Sequence, residues 1–219
     1  MRMSQMHTSL ISLSIVVAIL AIRAHYLVES RRWQVYLFKP LATLLIFCVA
    51  LLAAQPLLRP YPLAIAAGLL LSTAGDVFLM LPKDRFVAGL ASFLLGHLCY
   101  IAAFSSDVAF GAGFMWWLPF FAVGGAVVTS LWRSLPAQLR WPVLAYVLVI
   151  ATMAGQATGR WSILETPAAL SAALGAGLFV ISDATLAIDR FKRQFRAARA
   201  LTLTTYYAAQ LLIALSVTA

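Results

Sequence analysis

Two aspartates, Asp76 and Asp183, lie inside long apolar runs, whereas the other five acidic residues stand between such runs. An ionisable side chain at membrane depth costs several kcal/mol, so each one needs a partner or a function. Two carboxyl groups that share a poorly hydrated site do not both ionise, and one keeps its proton near neutral pH. The pair therefore predicts a general acid and a general base, suited to hydrolysis of an acid-labile C–O bond through an oxocarbenium-like state.

The sequences around the two aspartates correspond. Asp76 lies in the run 71–79, which is followed by Asp-Arg-Phe at 84–86, and Asp183 lies in the run 179–186, followed by Asp-Arg-Phe at 189–191. Each aspartate stands about five or six residues before the end of its span, which is roughly 8 Å along a helix. We expect a parallel duplication of a four-helix unit, which sets the two carboxylates at one depth across a pseudo-symmetric cleft.

The elements that position these aspartates are predicted to be membrane-spanning helices. The chain of 219 residues is 63% hydrophobic and 11% charged, which is more apolar than a soluble domain tolerates. Because a crossing helix takes about 20 apolar residues, we predict an all-α integral membrane protein with one transmembrane domain over residues 1–219. Its eight spans lie at roughly 7–25, 39–57, 62–81, 86–106, 113–132, 142–159, 167–188 and 200–218. Lys39-Pro40 is expected to open the second span, with the proline in its first turn.

The placement of basic residues predicts the orientation. Of the 16 lysines and arginines, all but Arg2, Arg59 and Arg160 fall in the alternate loops that join spans 1–2, 3–4, 5–6 and 7–8. Basic residues favour the cytoplasmic side, so both termini are expected on the non-cytoplasmic side and both aspartates toward the cytoplasm. The formal charge of +9 indicates membrane anchors between spans, and we expect no nucleic acid partner.

Further polar side chains share these spans and are candidates for binding a substrate. They are Lys39, Ser72, His97, Tyr100, Tyr206, Tyr207 and Gln210. Each also has a structural interpretation, since buried hydroxyl, amide and imidazole groups often bond neighbouring helices. Lys39 could anchor at the interface or pair with an aspartate. The aspartates themselves could be structural carboxyl groups, hydrogen-bonded or ion-paired.

Metal and cofactor chemistry is not predicted. His7 and His25 lie near span ends on opposite sides of the membrane, which leaves His97 as the only deep imidazole, so a histidine-rich zinc site is not expected. The sequence has no Gly-x-Ser-x-Gly elbow and no glycine-rich phosphate loop. We therefore expect no cofactor, and no obligate protein partner is evident.

Several motifs in order resemble the YhhN family of lysoplasmalogenases. They are Lys39-Pro40 and the runs 72–79, 89–100, 177–183 and 206–210. The resemblance extends roughly from Lys39 to Gln210, and the first span and residues 107–165 carry no matching motif. It implies an enzyme that hydrolyses the sn-1 vinyl ether bond of a lysoplasmalogen, releasing a fatty aldehyde and glycerophosphoethanolamine or glycerophosphocholine.

This reaction agrees with the chemistry expected of paired carboxyl groups. One aspartate would protonate the vinyl carbon distal to oxygen, and the other would activate water to attack the oxocarbenium ion. By the same resemblance, Lys39 would meet the lipid phosphate. His97, Tyr100, Tyr207 and Gln210 would position water or the glycerol hydroxyl. The sequence does not assign the acid and the base.

Two other classes of function fit part of the pattern. A proton-coupled transporter or flippase of a lipid or amphiphile also has duplicated halves and intramembrane acids. The acids here lie toward one face, and their spans lack proline breaks, which favours an enzyme. A purely structural assembly partner leaves two costly acids unexplained. The composition rich in Arg, Ala and Leu with short loops is typical of a bacterial inner membrane, although a eukaryotic endomembrane also fits.

Overall fold

The computed structural model describes residues 2–27, 32–53, 59–81 and 85–217. Every regular element in these ranges is helical. The eight α-helices are α1 (Arg2–Ala24), α2 (Trp33–Ala53), α3 (Pro60–Met80), α4 (Phe86–Phe104), α5 (Trp117–Leu131), α6 (Ala137–Leu164), α7 (Pro167–Phe191) and α8 (Ala198–Leu215). A short 3-10 helix, Phe114–Trp116, leads into α5. Of the charged residues counted above, Glu29, Arg31, Lys83 and Asp84 lie outside the described ranges.

Helices α1 to α7, with α5 taken together with the 3-10 helix before it, are long and apolar enough to cross a membrane, which confirms an all-α integral membrane protein. Helix α8 does not qualify, because its first ten residues include an arginine, three threonines and two tyrosines. It nevertheless runs antiparallel along α7: Ser182 Oγ donates to the carbonyl of Thr202 and Ser171 Oγ donates to that of Leu212. The eighth crossing and the position of both termini remain predictions.

The bounds of α2 and α6 differ from those expected. Helix α2 begins at Trp33 instead of 39, so Pro40 lies inside the helix and the prediction of a first-turn proline is wrong. The aromatic and apolar residues before Lys39 continue the helix despite the N–H that proline lacks. Helix α6 begins five residues earlier and ends five later than predicted, which places Pro142 and Arg160 on the helix. These extensions bring Lys39 and Arg160 into the protein interior.

The helices of each half pack as close antiparallel pairs. A Cβ on Gly68 of α3 would lie 2.2 Å from the Tyr100 ring of α4, and one on Gly175 of α7 would lie 2.8 Å from the Ala209 carbonyl of α8. Glycine permits both approaches because it has no side chain. Contacts of α2 with α8 and of α4 with α6 join the halves. If α1–α4 correspond to α5–α8, these two junctions are equivalent.

A polar cluster holds the end of the bundle opposite the aspartates. Arg160, which is buried on α6, makes a bidentate pair with Asp107, including an Nη2–Oδ2 distance of 2.7 Å. Its guanidinium carbon lies 4.5 Å from the ring centre of Tyr61, whose hydroxyl is 2.7 Å from Ser216 Oγ. The cluster links α3, α6 and the segments after α4 and α8, so we expect it to contribute to stability.

Replacing Asp107 by Asn should lower stability, because Arg160 would stay buried without its anion. Since Asp107 is 39% exposed, we expect about 1–3 kcal/mol, between the values for exposed and buried pairs. Thermal unfolding in detergent measures the loss. Glu165→Gln, the same charge change at an exposed position of this end, is the matched control. Equal melting temperatures for the two variants would show that the cluster contributes nothing.

Candidate active site

A cavity of about 850 Å³ lies where α1, α3 and α7 end and where α2, α4 and α8 begin. Both Asp76 and Asp183 line it. This is the end for which the distribution of basic residues predicts a cytoplasmic location. The two carboxyl groups, more than one hundred residues apart in sequence, thus face one space.

Asp76 is surrounded by hydrogen-bond donors. Thr43 Oγ1 and the Tyr206 hydroxyl each donate to Asp76 Oδ2 at 2.7 Å. Lys39 Nζ lies 3.2 Å from Asp76 Oδ1. The Asp76 side chain is only 2% exposed, and such a buried carboxylate is stable only when it is paired and hydrogen-bonded. Lys39, Thr43 and Tyr206 therefore stabilise the carboxylate form of Asp76 against the cost of its burial.

Lys39 is held by its position inside α2. Because this helix begins at Trp33, the lysine stands nearly two turns from its start, and its side chain is 9% exposed. Its ammonium group contacts Asp76 through Oδ1 and, at 3.5 Å, through the backbone carbonyl. Lys39 is thus ion-paired with an aspartate, the structural alternative to a contact with lipid phosphate.

Asp183 has different neighbours and remains partly open. The Tyr146 hydroxyl donates a short hydrogen bond to Asp183 Oδ2. His97 Nε2 lies 3.0 Å from that hydroxyl and 3.6 Å from the same carboxylate oxygen. Because the tyrosine proton points to Asp183, His97 Nε2 must carry the hydrogen in this pairing. The Asp183 side chain is 17% exposed, and neither neighbour contacts its Oδ1.

The two sets of neighbours come from corresponding helices. Thr43 on α2 and Tyr206 on α8 hold Asp76, whereas Tyr146 on α6 and His97 on α4 hold Asp183. Sequence reasoning missed Thr43 and Tyr146. A signal for both was available: under the duplication, α2 corresponds to α6, so each half should supply a hydroxyl to its aspartate.

The remaining predicted binding residues lie behind the cavity wall. Of the seven, only Lys39 and Tyr206 line the cavity. Tyr100 donates to Gln210 Oε1 at 2.7 Å, and both are fully buried. The Tyr207 hydroxyl lies 3.5 Å from the Lys39 carbonyl, and Ser72 is buried against Gly96 of α4. These side chains join helices around the site, and the structure does not bring them to the cavity.

The mouth of the cavity is basic. Arg32, Arg190 and Arg199 line it and were not among the predicted binding residues. Burial and the positive charges of Lys39 and Arg199 lower the pKa of His25 from 6.5 to about 4, so this imidazole is neutral at neutral pH. The field of the guanidinium groups attracts an anion such as a phosphate to the entrance. Within the described ranges, no three His, Cys, Asp or Glu side chains lie close enough to share a metal ion.

Lys39→Met should destabilise the fold, because it leaves the Asp76 carboxylate buried without a cation. Removing one partner of a buried pair costs about 3–5 kcal/mol. The double variant Lys39→Met/Asp76→Asn should be more stable than Lys39→Met alone, since the amide needs no counter-ion. The free energies of unfolding of the wild type, both single variants and the double variant, measured in detergent, give the coupling energy between Lys39 and Asp76. Additive losses would contradict an ion pair.

The family model described as "YhhN family" matches residues 34–217. The chain is 32% identical over 183 residues to the uncharacterized membrane protein YhhN of Escherichia coli O6:H1, covering 83% of this chain and 86% of that relative. It is 33% identical over 194 residues to lysoplasmalogenase TMEM86A of Bos taurus, covering 86% and 80%. It is 34% identical over 188 residues to lysoplasmalogenase TMEM86B of Sus scrofa, covering 79% and 74%.

No solved structure matches the chain. The family model nevertheless spans all the helices that hold the two aspartates, from α2 to α8. Relatives at 32–34% identity extend across most of the same region. The protein therefore belongs to the YhhN family, as the resemblance of its motifs predicted.

Proposed function

We propose that this protein is a lysoplasmalogenase that hydrolyses the sn-1 vinyl ether bond of a lysophospholipid. Relatives at about 33% identity are named lysoplasmalogenases. The observation that carries the proposal is the pair of carboxyl groups, Asp76 and Asp183, on one cavity with opposite surroundings. Vinyl ether hydrolysis requires a proton donor beside a group that stabilises positive charge and accepts a proton from water, and this pair offers both.

The surroundings support a different role for each aspartate. Lys39 pairs with the Asp76 carboxylate, so we assign the proton that starts the reaction to Asp183. Asp183 Oδ2 accepts from Tyr146, which leaves Oδ1 as the oxygen that carries this proton toward the cavity. Asp183 is thus the general acid and Asp76 the carboxylate.

The first step is proton transfer from Asp183 Oδ1 to the vinyl carbon distal to oxygen. This transfer produces an oxocarbenium ion and a carboxylate on Asp183. The Tyr146 hydroxyl already donates to Asp183 Oδ2 and accepts from His97 Nε2–H, so this chain of hydrogen bonds stabilises the new negative charge without reorganising. The neighbouring Asp76 carboxylate stabilises the cation.

The second step is attack of water on the oxocarbenium carbon. Asp76 Oδ1, which has only Lys39 as a side-chain partner, takes the proton of this water. The resulting hemiacetal collapses when Asp76 returns the proton to the departing glycerol oxygen and the hemiacetal hydroxyl reprotonates Asp183. One water is consumed, a fatty aldehyde and a glycerophospho-alcohol are released, and both aspartates regain their starting states.

The substrate is a lysophospholipid with an ethanolamine or choline headgroup. We place its phosphate at the basic mouth, beside Arg190 and Arg199, instead of on Lys39. The lipid reaches the cavity from the cytoplasmic leaflet of a membrane that we propose to be a bacterial inner membrane. Helices that can span the bilayer support a membrane location, where the substrate, a membrane amphiphile, also lies.

Asp76→Asn and Asp183→Asn should each lower aldehyde release by about 10²–10⁴-fold, the contribution of a general acid or base. The assay uses purified protein in detergent with an sn-1 vinyl ether lysophospholipid. Glu165→Gln, a carboxylate-to-amide change at an exposed position of the opposite end, is the control and should keep most activity. Near-normal turnover by both folded site variants would exclude this mechanism.

The same preparation tests the rival hypothesis of proton-coupled transport. In proteoliposomes, a transporter would move protons in response to the lipid and release no aldehyde. Aldehyde release without such a flux supports the hydrolase. Proton flux without aldehyde release would support a transporter and contradict the hydrolase.

Hydrolysis in D₂O should place one deuterium on the carbon next to the aldehyde carbonyl. The reason is that the proposed first step transfers an exchangeable proton to carbon. Mass spectrometry of the aldehyde, trapped as it forms, measures the label. Unlabelled aldehyde incubated with the protein in D₂O corrects for exchange after release. Product without deuterium would show that cleavage does not begin with protonation of carbon.

A further inference from the structure

A second, apolar space lies behind Asp183. It encloses about 70 Å³ between α4, α5, α6 and α7, and we call it the apolar slot. Leu90 of α4, Gly124 and Val127 of α5, and Val147 of α6 are among its walls. Among its lining side chains, only Asp183 and Tyr146 bear polar groups. A carboxyl group thus borders an almost entirely apolar space.

The slot adjoins the large cavity. Asp183, Phe86, Phe93 and Phe191 line both spaces. Asp183 therefore stands on the boundary between a basic, polar cavity and an apolar slot. A molecule that is polar at one end and apolar at the other would place its junction at this carboxyl group.

We propose that the apolar slot receives the first carbons of the substrate's sn-1 alkenyl chain. The inference rests on the proposed function and specifies where the chain of that substrate lies. In a vinyl ether lysolipid the oxygen marks the polar side of the junction and the two vinyl carbons begin the apolar chain. With the oxygen in the polar cavity and the chain in the slot, the vinyl carbon to be protonated lies at Asp183.

The size of the slot limits what it holds. Since one water occupies about 30 Å³ of liquid, 70 Å³ accommodates only a few carbons. The rest of the chain must leave between the helices, and the lining residue Val123 on α5 is 48% exposed on the lipid side. The slot is therefore a passage for the proximal chain toward the bilayer, and it also gives the released aldehyde a route into the membrane.

Two adjacent glycines on α5 provide a matched test. Gly124 is buried on the slot, and a Cβ there would lie 2.7 Å from Val147 Cγ1, the end of a side chain that also lines the slot. A Cβ on Gly125 would meet nothing within 4 Å. Gly124→Leu fills the slot, whereas Gly125→Leu makes the same change on the outer face. Both replacements raise helix propensity equally.

The first readout is the selectivity of the enzyme between substrates with a long and a short alkenyl chain. For a hexadec-1-enyl lysophospholipid, Gly124→Leu should lower kcat/KM at least about tenfold, as expected for steric exclusion from a pocket. For the 1-propenyl analogue, which has one carbon beyond the vinyl group, the loss should be several-fold smaller. Gly125→Leu should match the wild type on both. Equal losses of Gly124→Leu on both substrates, or no loss on the long one, would overturn the inference.

The second readout does not depend on turnover. A non-hydrolysable alkyl ether lysophospholipid with a diazirine at the fourth chain carbon should label peptides of α5 and α6 around Val127 and Val147. Labelling there should persist in Gly125→Leu and be lost in Gly124→Leu. Labelling elsewhere in active protein would overturn the inference that the slot binds the chain, without contradicting the proposed hydrolase function. Labelling of the slot without aldehyde release from any vinyl ether would instead remove the proposed function.

Discussion

A carboxylate buried among apolar helices has to be neutralised, and the pairing of Asp76 with Lys39 meets this requirement. The pairing demands that α2 carry a lysine well inside the helix, which explains why α2 continues upstream of Pro40. It also joins α2 to α3, and Tyr206 adds α8 to the same carboxylate. The proposed roles depend on this pair, because the mechanism needs Asp76 as a carboxylate beside Lys39 and Asp183 as the proton donor.

The two halves of the protein show how one scaffold can hold acids in different states. Thr43 and Tyr146 donate to their aspartates from equivalent helices. Four residues before Thr43 stands Lys39, whereas four residues before Tyr146 stands Pro142. The position that holds a cation in one half thus holds a proline in the other. Under the predicted duplication, this difference would let two related sites supply the acid and the base that the proposed mechanism requires.

The sequence predicted those features that depend on local chemistry. Apolar runs of sufficient length indicated the helices, and two acids inside such runs indicated the site, because both signals are contained in one segment. The start of α2 was misplaced because proline was taken as a boundary, although packing sustains the helix through it. Tyr146 was missed although its correspondence to Thr43 under the predicted duplication was a signal for it, and the apolar slot was missed because it arises only where several helices meet. Tyr100 and Gln210 were assigned to the site, whereas their hydrogen bond to each other joins α4 to α8 behind it.

Asp183 lies between an apolar and a polar space, and this position is suited to hydrolysis of a bond that joins an apolar group to a polar one. A vinyl ether joins a phosphorylated glycerol to a hydrocarbon chain, so in any bilayer-embedded enzyme its two sides require opposite environments. Proton transfer to carbon is favoured where the donor is shielded from water, while attack by water needs a hydrated space next to it. Asp183 has the apolar slot on one side and the basic cavity on the other. In the proposed reaction, the division that orients the lipid therefore separates protonation of carbon by Asp183 from the attack of water, which Asp76 activates on the polar side.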